Sequence, residues 1–112
     1  MATNIKVLNA LTPGVMLLTT NSSTSIYSPV SPKSALISGV AIFNNSTTSL
    51  TVSLLRGTVP IHKTATLGAS ASAFMSDVVE LAAAEGLSAQ ASATPTGGGA
   101  NITVLLFGIE RD

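Results

Sequence analysis

At 112 residues the chain has the length of one domain, enough to bury about 65% of the surface it exposes when unfolded. It has no cysteine, which excludes disulfides and thiolate metal sites. Its formal net charge of zero gives no basic face for nucleic acid and no acidic tail. Only 9% of its residues are charged, against about 25% in ordinary soluble domains, and Ser and Thr, 29 together, take their place; a surface used up in an assembly is the expectation.

Met1–Gly14 reads as an N-terminal arm or first edge strand, ended by the turn signal Thr12-Pro13-Gly14, with a single β domain over 15–112. Lys6 precedes apolar residues, but Asn9, Thr12, Pro13 and Gly14 interrupt them, and Val15–Leu18 is too short for a signal peptide. No run approaches the roughly 18 apolar residues that span a membrane. Val15–Thr19 is a short strand, Asn21-Ser22-Ser23 a turn, and Ser25–Ser28 a second short strand carrying Ile26 and Tyr27. Pro29 and Pro32 frame a rigid loop, because each lacks an amide donor and restricts its predecessor.

Lys33–Arg56 organises the rest. Two apolar runs, Ala35–Phe43 and Leu50–Leu55, flank the polar island Asn44–Ser49, a pattern that predicts a central β-hairpin. Val59–Ala65 follows as a strand with Pro60 near its start, where proline is tolerated, and Leu67-Gly68 closes it. Ala69–Met75 alternates small residues with Ser before Phe74 and Met75. Ser76–Glu85 has the composition of a helix, with capping-box spacing between Asp77 and Glu80 and three alanines. The surrounding series of short strands favours the other reading, a strand over Val78–Leu81 and a tight turn at Ala84-Glu85-Gly86.

Leu87–Ala93 alternates cleanly, with Leu87, Ala89, Ala91 and Ala93 on one face and Ser88, Gln90 and Ser92 on the other. Thr94–Ala100 is a flexible loop. Asn101–Glu110 is a closing strand apolar on both faces, so it is expected to be central in a sheet or buried by a partner. The sum is an all-β, antiparallel sandwich of about eight short strands, with Ile37, Val40, Ile42, Leu54, Leu87, Val104 and Leu106 in its core.

No residue set spells out a reaction. His62 is the lone histidine, and a Ser/His/Asp triad would need it beside a serine and Asp77, with no GxSxG elbow to supply the nucleophile. Asp77, Glu80, Glu85, Glu110 and Asp112 are too scattered to form a recognisable metal site. Asp77 and Glu80 as glycosidase carboxylates would lack a sugar platform, since there is no Trp and one Tyr. Gly97-Gly98-Gly99 is followed by no Lys-Ser/Thr and is a loop tip rather than a phosphate loop. Asn21, Asn44, Asn45 and Asn101 open N-x-Ser/Thr sequons, meaningful only in a secretory pathway. Tyr27, Phe43, Phe74 and Phe107 are expected in the core. No catalytic, metal-binding or cofactor-binding residue is therefore expected, and no cofactor.

Six stretches share one texture of short strands and Asn- or Gly-rich turns: Ile26–Pro32, Ser34–Leu55, Leu67-Gly68, Val79-Glu80-Leu81, Ala84–Ala93 and Ile102–Glu110. In this layout, and in its poverty of charge and cysteine, the chain resembles the small virion proteins of tailed bacteriophages. The resemblance implies a jelly-roll-like sandwich, oligomeric, serving as a head decoration (cement) protein or as a neck or tail component. It implies a homotrimer bound to the major capsid protein or other virion proteins at the head surface, with neither nucleic acid nor membrane as partner. The lattice or oligomer contacts would then fall on the arm, at Lys6, Val7, Leu8 and Leu11, and on the loops, at Pro29, Pro32, Lys33, Pro95 and Gly98. The competing readings are a carbohydrate- or receptor-binding module of a tail fibre and a small hydrolase.

Overall fold

The computed structural model describes residues 8–10, 15–29, 33–76 and 79–111. Among the described residues ten strands form and there is no helix. They are β1 (Leu8–Ala10), β2 (Val15–Leu18), β3 (Thr24–Tyr27), β4 (Ser34–Asn45), β5 (Val52–Arg56), β6 (Val59–Lys63), β7 (Ser72–Met75), β8 (Val79–Leu81), β9 (Leu87–Ala91) and β10 (Asn101–Arg111).

The strands make two antiparallel sheets packed as a sandwich. In the six-stranded sheet, β10 and β4 lie at the centre; β1 and β2 line the free side of β10, and β7 and β8 the free side of β4. The four-stranded sheet runs β3-β9-β5-β6. One set of pairings is nested along the chain, β5 with β6, β4 with β7 and β8, β3 with β9, and β1 and β2 with β10, and two more cross it, β4 with β10 and β5 with β9.

Period-two patterning sets which side chains enter the core. Leu87, Ala89 and Ala91 of β9 are buried against Ile102, Val104 and Leu106 of β10 and Val40 and Ile42 of β4. All seven core residues expected from the sequence are buried. The doubly apolar β10 is central, as its pattern requires.

The expected central hairpin does not form. β4 and β5 lie in different sheets, so Asn44–Ser49 is an arch between layers rather than a turn within one. The Asn44 side chain holds the arch. It is fully buried, and its Nδ2 donates to the carbonyls of Thr48 (2.9 Å), Leu67 (3.0 Å) and Gly68 (3.0 Å), while Ser46 Oγ donates to its Oδ1. A run of Asn, Ser and Thr supplies the side-chain bonds that either geometry uses, so local chemistry alone does not choose between them.

The helix-prone segment takes the strand-and-turn form. Leu81 is buried and pairs with Ala35, a tertiary gain that overrides helix propensity. The chain then turns over residues 82–85, where Glu85 N–H donates to Ala82 O at 3.0 Å and Ala82 N–H to Glu85 Oε1 at 2.7 Å. Asp77 and Val78 lie outside the described residues.

One irregularity shapes the central pair. The register of β10 against β4 shifts between Phe107 and Gly108, leaving Ser38 as the extra residue on β4. At Gly108 a Cβ would fall 2.1 Å from Leu36 O, so only glycine fits. The shift also changes the inward parity of β4 from Ala35 and Ile37 to Val40 and Ile42, all four of which are buried.

Candidate functional site

The residues singled out as possible chemistry are dispersed. His62 of β6 lines an open cleft of about 240 Å³ between the sheet edges, with Arg56 and Glu80 at its rim over Val40, Leu54 and Met75. Among the described residues no three His, Asp or Glu side chains gather into a group that could hold a metal ion. Glu85 is instead taken by Arg56, whose Nε and Nη2 each donate at 2.9 Å. That guanidinium, helped by the Ala82 amide, holds the Glu85 carboxyl below its ordinary value.

The expected contact residues fall into four groups. Lys6, Val7, Leu11 and Pro32 lie outside the described residues. Leu8 sits in β1, paired with Arg111 of β10. Pro29 and Pro95 are buried, so they shape their loops rather than offering a surface. Lys33 is half-buried and ion-paired to Glu110 at 3.7 Å, while Gly98 is exposed at a loop tip. Tyr27 Oη donates to the same Glu110 and ties the first strand of one sheet to the last strand of the other. Burial, then this hydrogen bond and the carboxylate charge, push the Tyr27 phenol well above its ordinary value.

What the sequence did not reveal is the outer face of the six-stranded sheet. Tyr27 is in the core, but Phe43, Phe74 and Phe107, expected there too, are not. The outward side chains of the four-stranded sheet include Ser25, Ser53, Ser88, Gln90 and Lys63, with Leu55 and Pro60 among them; its exposed large hydrophobics, Val59 and Ile61, sit on the edge strand β6. The six-stranded sheet instead presents Phe74 (63% exposed), Leu17 (53%), Phe107 (47%), Phe43 (38%) and Ile109 (37%), around Ala41, Leu105 and Gly39.

Its geometry follows from the register. Phe107 pairs with Gly39 and Phe74 with Ala41, so the two rings meet across a small-residue floor at 6.0 Å between centroids, inclined by 55°. A Cβ on Gly39 would come within 2.8 Å of the Phe74 ring, so the glycine lets that ring lie across the sheet. Among the described side chains that point outward from this sheet, Glu80, on β8 at its margin, is the one charged group. Asn45 and Thr103 close the far end, Asn45 Nδ2 donating to Thr103 Oγ1 at 2.8 Å. One signal in the sequence pointed here: Gly39 and Gly108 interrupt apolar strand runs, which marks a bulge or a close approach.

Neither protein-family models nor curated proteins give a match to this chain.

Proposed function

We propose that the protein is a non-enzymatic structural component of a bacteriophage virion. In this reading it is a head decoration (cement) protein that assembles as a homotrimer and ties neighbouring major capsid subunits together. The observation that carries the reading is the apolar outer face of the six-stranded sheet, on which Glu80 at the margin is the one charged group among the described side chains. Such a face serves contact with protein, and contiguous patches of this kind mark interaction surfaces. The nested pairing of β1 through β10, which sends the chain back and forth between sheets, supports a jelly-roll winding of the kind capsid-associated proteins use.

The exposed Phe74–Phe107 pair is the one feature that speaks for a tail or fibre module that binds a carbohydrate receptor. Its floor speaks against that use: Gly39, Ala41 and Leu105 offer no side-chain donors or acceptors to sugar hydroxyls, and the neighbouring Ser38 hydroxyl donates to Phe107 O at 3.2 Å. Protein mass spectrometry of purified virions, with labelling of the chain in electron micrographs, tests the proposal. The expected result is regular decoration of the head. Presence on the tail alone would replace the cement reading with the tail reading, and absence from virions would overturn both.

A further inference from the structure

We propose that the outer face of the six-stranded sheet packs around a three-fold axis against the same face of two further copies of this chain. This rests on the homotrimer in the functional reading above and names the surface that builds it.

Size is the first argument. Four strands abreast at about 4.8 Å, along the 11 residues of β10 at about 3.3 Å each, make a face of roughly 19 by 36 Å. That is ~700 Å², close to the ~800 Å² per partner of a standard interface. At about 200 Å² for a large side chain, Leu17, Phe43, Phe74, Phe107 and Ile109 leave ~480 Å² of apolar surface uncovered in a single copy. More than ~400 Å² is already a liability for an isolated domain.

Shape is the second. Three sheets about 19 Å wide, set as the sides of a triangular prism, each lie roughly 5.5 Å from the axis, half the ~10 Å at which two sheets pack face to face. The side chains of the three faces then fill the prism. A four-fold ring of the same sheets would stand roughly 9.5 Å from its axis and leave a hollow that these side chains do not reach.

Charge is the third. Copies of one face meet only themselves, so any charge on the face would be repeated at close range. Glu80 lies at the margin, and the rest of the described face is uncharged. A partner with a charged surface would find no counterpart there.

Sedimentation velocity on the full chain and three variants tests the proposal. Phe74→Arg and Leu17→Arg each place a charge on the face at a side chain more than half exposed in one copy, so neither disturbs the core. Val59→Arg makes the same change at a 62% exposed site on β6 of the other sheet. The expected result is a trimer for the wild type and for Val59→Arg, and a monomer with an unchanged far-UV spectrum for Phe74→Arg and Leu17→Arg. A monomeric or dimeric wild type at high concentration overturns the proposal, as do trimers that survive either face substitution. A monomer still found on virion heads would overturn this packing and leave the virion reading standing. A trimer missing from virions would do the reverse.

Discussion

Gly108 has no room for a side chain. Its Cβ position lies 2.1 Å from a backbone carbonyl, Leu36 O, and 3.0 Å from Ile37 Cα, atoms that cannot rotate away. Gly108→Ala must break the β10–β4 register, and we expect a loss of about 3 kcal/mol or more in chemical denaturation. An unchanged midpoint would contradict the bulge geometry. Asn44→Asp makes a different test. It removes the amide that serves three carbonyls and buries a carboxylate beside them, with an expected cost of about 3 kcal/mol or more at neutral pH.

Tyr27 gives a pH signature. Its phenol is pushed up in the folded chain, so the contribution to stability is complete below the ordinary tyrosine value of about 10 and is lost as pH rises above it. Thermal melts from pH 8 upward are expected to show Tm falling beyond about pH 10 in the wild type, and falling less steeply in Tyr27→Phe. Equal slopes would contradict the burial of the Tyr27 phenol and, with it, its contact with Glu110. At this scale the sequence placed Tyr27 on a short strand and in the core, and Asn44 in a turn. It did not show that one phenol meets a carboxylate 83 positions away, because partners so distant depend on topology.

Elements were readable where alternation is strict. β9 shows which side chains face inward, and the structure places them so; β10, apolar on both faces, shows only that it belongs at the centre of a sheet or under a partner. Strand partners were not readable, since a period of two specifies a face and not a neighbour. That is why Ala35–Phe43 and Leu50–Leu55 suggested a hairpin, whereas β4 pairs with β10, β7 and β8, and β5 with β6 and β9. The outer apolar face escaped for a related reason. An aromatic residue in a strand signals burial, but whether its own chain or another covers it depends on what lies over the sheet. The central position of β10 makes its inward row a sensitive probe. Val104→Asp places a charge where no water reaches, and we expect a loss of about 4 kcal/mol or failure to fold. A soluble, equally stable variant would contradict the core assignment.

For the whole molecule, the two sheets differ in what they turn outward. One is faced largely with Ser, Gln and Lys and needs only water; the other is faced with Phe, Leu and Ile. If copies assemble through that face, its few charges make the assembly depend weakly on salt, unlike an electrostatically steered contact. Trimer mass is therefore expected to be the same at low and high ionic strength, and dissociation on adding salt would contradict the apolar interface. The most direct measurement is hydroxyl-radical footprinting of the wild-type chain in solution. If copies cover the outer face, Phe74 and Phe107 react as slowly as Tyr27, which the fold itself buries, while Val59 on the other sheet reacts freely. Fast modification of Phe74 and Phe107 would show an open face and contradict the account.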